Sequence, residues 1–245
     1  MILELDCGNS FIKWRLLSAE KGVGPVGVAA NVDDMVSEIL NDDGVKVARC
    51  RMVSVRSVHE TKLIADGVSR ALGVRVAQAG SSECLAGVRN GYRDYDRLGL
   101  DRWLALVAAF NLCGHACLVV DVGTAVTVDL VASDGKHLGG YIAPGIALLR
   151  GQLLSHTRRI RYDSEEAGLA LSDIAPGRST AEAVERGCLL MLRGYVSNQL
   201  LQAHDYLNDD FATYVTGGDA LLVADLPSVT YVPDLVFRGL ALACP

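Results

Sequence analysis

Two short stretches of this chain carry the same chemically useful arrangement. Asp6-Cys7-Gly8-Asn9-Ser10 follows the apolar run Ile2-Leu3-Glu4-Leu5, and Asp121-Val122-Gly123-Thr124-Ala125 follows Cys117-Leu118-Val119-Val120. Each is a strand-like run, an acidic residue, a spacer, a glycine and small polar residues, and a second apolar run follows. A glycine just beyond a strand lets the backbone approach a ligand with no Cβ in the way. Successive amides in such a turn can point at phosphate oxygens, and Asn9, Ser10 and Thr124 add side-chain donors. A carboxylate repels phosphate, so the two aspartates make sense if Mg²⁺ or bound water lies between them and the anion. Either turn alone reads as a tight hairpin with an ordinary turn aspartate. The recurrence about half a chain apart favours phosphate binding by a duplicated scaffold.

Other segments offer weaker signals. Gly99-Leu100-Asp101-Arg102 opens a helical pattern. On spacing alone Asp101 is a first-turn acid or N-cap; a carboxylate there can also take a proton from a substrate hydroxyl, with Arg102 binding a phosphate or carboxylate bidentately. Gly139-Gly140-Tyr141-Ile142-Ala143-Pro144-Gly145 is glycine-dense at a strand-to-helix junction, where an anion site and close layer packing are both open readings. Gly217-Gly218 ends a strand, and a purine can lie flat on such a backbone. The five histidines form no zinc pattern. Arg158, Arg159 and Arg161 read as solvated surface. No Walker-type phosphate loop or nucleophile elbow is present.

The elements that must position these residues follow from periodicity and punctuation. Strands are predicted at 2–6 and 11–17, with Lys21-Gly22-Val23-Gly24-Pro25 turning into a third, then at 45–48, 52–55 and 74–77. Helices are predicted over 32–40, from the Ser57–Glu60 capping box to Leu72, and over 101–112, this last apolar on several sides. Residues 80–99 read as irregular. The second half restarts with strands at 117–121, 125–132 and 137–142. Pro144 and Gly145 are expected to open a helix, and Ser179-Thr180-Ala181-Glu182 caps the longest one, to Leu207. Its Leu189, Leu190, Leu192 and Val196 are a candidate dimer stripe. A strand at 212–216 is expected to pass into a helix straight after Gly218. This alternation indicates α/β layers in both halves.

Bulk properties agree. The 245 residues are half apolar, and 23 basic against 29 acidic residues give a net charge of −6, which argues against a nucleic-acid binder. No window is apolar enough to span a membrane, and Met1-Ile2-Leu3-Glu4 lacks a secretory start. Seven scattered cysteines without C-x-x-C spacing suit small core residues in a reducing cytoplasm.

Taken in order, the five glycine-containing blocks resemble the type III pantothenate kinases, of the acetate kinase, sugar kinase, Hsc70 and actin superfamily. The resemblance covers nearly the whole chain. It implies two duplicated ribonuclease-H-like (actin-like ATPase) α/β domains, expected at 1–114 and 115–245, with an ATP cleft between them. It implies ATP-dependent phosphorylation of pantothenate at its primary hydroxyl, the first step of coenzyme A synthesis. Asp101 would be the general base. Nucleotide contacts would come from Asp6, Cys7, Gly8, Asn9, Ser10, Phe11, Ile12, Lys13 and Thr124. Pantothenate contacts would come from Tyr92, Gly99, Leu100, Asp101, Arg102 and Thr180. Mg²⁺ would accompany ATP, a monovalent cation (K⁺ or NH₄⁺) would sit at Asp121, and the enzyme would be a homodimer. The chain departs from the family pattern at Asp94-Tyr95, where Asn-Pro is common, and at Ser10, where threonine is commoner. The rival reading is a non-catalytic nucleotide-binding accessory or regulatory protein on the same scaffold. A kinase for another small polyol or acid is a third.

Overall fold

The computed structural model describes residues 1–18, 22–41 and 45–245. The chain forms two compact units: Met1–Asn111 with Asp234–Pro245, and Leu112–Pro233.

The first unit is built on strands β1 (Ile2–Cys7), β2 (Ile12–Ser18), β3 (Gly22–Ala29), β4 (Arg49–Ser54) and β5 (Val76–Gln78), in the order β3-β2-β1-β4-β5. β1 pairs antiparallel with β2, and β2 with β3; β4 and β5 add in parallel. Helices α1 (Val32–Leu40) and α2 (Val58–Leu72) pack Met35, Ile39, Ile64 and Val68 against Leu3, Leu5, Cys7, Cys50 and Met52 of the sheet. Their ends follow the local sequence. Asn31 Oδ1 accepts from Asp34 N, and Ser57 and Glu60 form the predicted capping box. Gly73 ends α2 at φ 66°, a left-handed value that costs glycine little.

Beyond β5 come a two-strand hairpin, β6 (Cys84–Leu85) with β7 (Val88–Arg89), a 3₁₀ turn at Tyr95–Arg97, and α3 (Leu100–Cys113). Every residue of α3 from Arg102 to Ala109 is buried, as its all-round apolar character predicts.

The second unit repeats this plan. Strands β8 (Cys117–Val122), β9 (Ala125–Val131), β10 (His137–Pro144), β11 (Ala212–Thr216) and β12 (Val229–Tyr231) take the order β10-β9-β8-β11-β12. The parallel and antiparallel pairings match those of the first sheet strand for strand. Between β10 and β11 run α4 (Ile146–His156), α5 (Ser164–Ala170) and the long α6 (Thr180–Leu207), which opens on the Ser179–Glu182 capping box. The two aspartate turns therefore occupy the same topological position, the loop between the central strand and its antiparallel neighbour. No helix among the described residues is long and apolar enough to cross a membrane.

Several expectations are corrected. Residues 45–48 form no strand; they run beside the N-terminus, with Ala48 N donating to Met1 O at 2.8 Å, ahead of the β1–β4 ladder. Pro144 is the last residue of β10 rather than a helix opener, and Gly145 is the N-cap of α4. Proline is tolerated there because β10 is an edge strand. After Gly218 comes a single 3₁₀ turn, Ala220–Leu222, in place of a full helix. Lys21, part of the expected turn into β3, lies outside the described residues.

The expected boundaries, 1–114 and 115–245, differ from the observed units chiefly at the last helix. α7 (Leu235–Ala243) belongs with the first unit. A Cβ on Gly239 would lie 2.1 Å from Leu104 O, so glycine lets α7 approach α3 closely. Fully buried Glu4 on β1 accepts hydrogen bonds from Arg15 and Arg51. Arg15 in turn binds Asp234 at 2.8 Å, and Arg51 donates to Cys244 O at 2.9 Å. The Glu4 pairs lie within the sheet itself, and Asp234 and Cys244, which flank α7, take up a further N–H of each arginine. The proposed dimer stripe also changes: Leu189, Leu192 and Val196 are buried in their own unit, while Leu190 and Met191 are 51% and 61% exposed.

Candidate active site

The first unit brings Asp6, Lys13 and Asp101 together. Asp6 is the penultimate residue of the central strand, and the antiparallel register sets it opposite Lys13. Burial pushes its carboxyl up to about 6, against the pull of the Lys13 ammonium and with a further push from the Asp101 carboxylate. Asp6 and Asp101, far apart in sequence, thus share one electrostatic environment. In the turn, Gly8 is half-buried and Asn9, Ser10 and Phe11 are exposed. Cys7 and Ile12 are completely buried and face each other at the end of the β1–β2 ladder. Burial, followed by the Asp6 charge, pushes the Cys7 thiol up to about 12, which keeps it neutral.

Asp101 sits in the first turn of α3. Gly99 O accepts from Trp103 N at 2.9 Å, and Asp101 Oδ1 accepts from Arg102 N at 2.7 Å. A Cβ at Gly99 would stand 2.9 Å from that carboxylate oxygen, which explains the glycine two residues before the acid. Leu100 begins the helix beside it. Arg102 is only 5% exposed, and its Nη1 donates to Tyr92 Oη at 2.9 Å. Tyr92 is held from behind by Asn90, whose Oδ1 accepts from Tyr92 N at 3.0 Å. At the departure from the family pattern, Asp94 O accepts from Arg97 N at 3.1 Å and starts the 3₁₀ turn. The chain thereby keeps a compact loop ahead of Asp101 without Asn-Pro.

The second unit gathers three glycine-containing segments around Asp121. Gly123 N donates to Ala125 O at 3.0 Å and closes the turn. Gly145 N donates to Thr124 O at 3.0 Å, and a Cβ at Gly145 would lie 2.0 Å from Gly123 O. Gly217, at φ 102°, leaves no room on its other side: a Cβ would meet Val122 O at 2.3 Å and Asp121 Oδ1 at 2.4 Å. Asp219 N donates to Val122 O at 2.9 Å. Gly145 and Gly217 are therefore the two backbone walls that hold the Asp121 turn. Gly218 faces open space and is exposed, which leaves room for a flat ligand there. Thr124 is exposed in the turn, and Thr180 is exposed at the first position of α6.

Sequence reading missed two contributors. Arg56, just past the end of β4, donates from Nε to Gly8 O at 2.7 Å. Asn90 supports Tyr92, as described. The signal for Arg56 was its place between a strand end and a capping box, where open α/β sheets bind ligands. Among the described residues no group of three or more His, Cys, Asp or Glu could hold a metal by itself. What is present, single carboxylates next to amide-rich turns, fits an ion carried by substrate phosphates, since Mg²⁺ is commonly held by one or two carboxylates plus phosphate and water.

A family model described as type III pantothenate kinase matches residues 2–202. The chain is 58% identical to the type III pantothenate kinase of Ectopseudomonas mendocina (strain ymp), covering 100% of this chain and 99% of that protein. Among solved structures it is similar to a Campylobacter jejuni protein proposed to be a Baf family transcriptional activator, with a TM-score of 0.59, 21% identity and coverage of 98% and 95%. It is also similar to Porphyromonas gingivalis acetate kinase, with a TM-score of 0.50, 13% identity and coverage of 99% and 98%. At those identities the two structures speak to the fold alone.

Proposed function

The chain belongs to the type III pantothenate kinases, and from that premise we propose that it transfers the γ-phosphoryl group of ATP to the primary hydroxyl of pantothenate, the first step of coenzyme A synthesis. What supports the residue assignment is the register that sets Lys13 opposite Asp6 on the central strand pair, together with the push of the Asp101 charge on the Asp6 carboxyl. That push links a nucleotide-side carboxylate to a candidate base.

In this reading the amides and hydroxyls of Gly8, Asn9 and Ser10, the Lys13 ammonium and Thr124 bind the phosphate chain, with Asp6 and Mg²⁺ on the nucleotide side. Bound Mg²⁺ supplies charge neutralisation of the β- and γ-oxygens. Arg102, steered by Tyr92, receives the pantothenate carboxylate, and Thr180 adds a substrate contact. Asp101 orients the substrate hydroxyl in line with the γ-phosphorus and accepts its proton as the new P–O bond forms. The bond to the β–γ bridging oxygen breaks and ADP leaves. Asp101 Oδ1 accepts from Arg102 N, which fixes the carboxylate, and we assign Oδ2 as the oxygen that takes the proton. Positioning and charge stabilisation carry most of the rate gain, because the transition state is loose.

We place a monovalent cation, K⁺ or NH₄⁺, at Asp121, where it would offset phosphate charge. We assign a homodimer through the exposed Leu190 and Met191 of α6 together with Ile142 of β10, all exposed apolar side chains. Seven cysteines outside any disulfide support a cytoplasmic setting.

The test is a coupled assay of ADP release, run with and without pantothenate and against a panel of small polyols and hydroxy acids. Pantothenate-dependent release supports the assignment. Nucleotide binding without turnover on any acceptor would favour the accessory-protein reading.

A further inference from the structure

Arg56 is a half-buried cation with no ion-pair partner among the described residues. Glu60, an acid that feels the Arg56 charge, has its carboxylate taken up by the backbone N–H and hydroxyl of Ser57. Among the described residues the Arg56 side chain makes one hydrogen bond, from Nε to Gly8 O at 2.7 Å. Its Nη2 is buried and has no hydrogen-bond partner among the described residues. A guanidinium projects the N–H bonds of Nε and Nη2 from one edge in parallel, the edge that matches a carboxylate or phosphate. The unpaired donor therefore points the same way as the one that grips the phosphate turn. A buried guanidinium donor left unsatisfied is costly, and an uncompensated positive charge more so.

The backbone around it is fixed. Val55 N donates to Cys7 O at 3.2 Å and continues the β1–β4 pairing past the strand ends. Arg56 N donates to Ser54 Oγ at 3.2 Å, and Ser54 Oγ is bonded to Thr61 Oγ1 at 2.8 Å. The guanidinium is thus delivered to Gly8 by a braced segment rather than by a wandering surface side chain.

We propose that Arg56 is a positioning residue for nucleotide binding: its guanidinium edge holds the Gly8 carbonyl and so orients the amides of the first turn, and its remaining N–H and charge serve the oxyanion that those amides receive, the phosphate chain of a nucleoside di- or triphosphate. The proposal rests on the reading of that turn as the nucleotide side of a kinase.

The experiment compares wild type, Arg56→Ala and Arg56→Lys as full-length protein. ADP binding is measured by calorimetry, with KM for ATP and for pantothenate, kcat and the thermal midpoint beside it. Loss of a charge-assisted, two-pronged donor is expected to weaken ADP binding in Arg56→Ala roughly tenfold or more, with a matching rise in KM for ATP and KM for pantothenate unchanged within about twofold. Arg56→Lys keeps the charge and the fold but not the edge, and should recover only part of the loss. Millimolar guanidinium ion should partly restore ADP binding to Arg56→Ala and leave Arg56→Lys unchanged. Unaltered ADP affinity in both variants overturns the proposal. So does a parallel rise of both KM values with a lowered midpoint in both variants, which would mark a structural role only. Wild type that binds ADP but fails to phosphorylate pantothenate would sink the kinase reading instead, since the calorimetric comparison needs no turnover.

Discussion

Asp6→Asn should make the ligand-free protein more stable while it impairs the enzyme. The carboxyl of Asp6 is lifted from 3.8 to about 6 by burial, with Asp101 adding to the lift and Lys13 opposing it. A carboxyl with a raised folded-state value favours folding fully below pH 3.8, and that contribution is lost as pH rises through about 6. Above that pH the folded chain holds a charged carboxylate that it would rather hold neutral. At 1.36 kcal/mol per pH unit the lift corresponds to at most ~3 kcal/mol, and solvent at the half-open turn trims it to ~1–3 kcal/mol. For a chain of this size that is a rise of several degrees in the melting midpoint. The assay is thermal unfolding of wild type and Asp6→Asn, without nucleotide, at closely spaced values from pH 4 to pH 8. The gap between the two should be small near pH 4, open through pH 5–6 and level off above pH 7. Saturating Mg²⁺ and ATP should narrow or reverse it, because the cation compensates the wild-type carboxylate and the variant binds it less well. A variant that is less stable than wild type at pH 8, or a gap that does not change with pH, would refute the reasoning that burial sets the Asp6 carboxyl.

Four further outcomes follow from named contacts. Asp101→Asn should cut turnover by ~10²-fold or more and leave ADP binding close to wild type by calorimetry, as loss of a general base requires; near-normal turnover would remove Asp101 from that role. Gly145→Ala would place a Cβ 2.0 Å from Gly123 O, so the Asp121 turn must shift; a loss of ~1–3 kcal/mol in chemical unfolding and a raised KM for ATP are expected. Tyr92→Phe removes the 2.9 Å bond to Arg102 Nη1 and should raise KM for pantothenate several-fold, a cost of ~1 kcal/mol, with KM for ATP unchanged in the same steady-state series. Replacing potassium or ammonium by sodium should lower kcat in the coupled assay, and equal rates in all three would remove the monovalent site at Asp121.

The residues of both turns, the helix spans 32–40 and 180–207 and the two serine capping boxes were legible because they depend on neighbours a few positions away. Strand alternation, glycine after a strand and a serine three residues before a glutamate act through local sterics and local hydrogen bonds. The repeat of one turn in each half pointed to duplication, and the two matching sheets bear that out. Helix α5 carries the same local signal in its Asp163–Glu166 capping box.

What the chain order alone did not decide depends on segments that meet only after folding. Whether Leu189, Leu192 and Val196 face inward is set by which helix faces the neighbouring layers occupy, and they pack into their own unit. The return of α7 to the first unit is set by Arg15, Arg51 and the missing Cβ of Gly239. Gly145 and Gly217 read equally as ligand-side or as packing and turn glycines, and each is required because another backbone passes within 2.0 to 2.3 Å of where its Cβ would be. Arg56 meets the Gly8 turn only through the parallel pairing of β1 with β4. Sequence thus determined most of the short pieces that form and marked the aspartate turns as candidates for chemistry. Steric exclusion and charge compensation between distant pieces decided which glycines are walls, which arginine meets a turn, and which carboxylates feel each other.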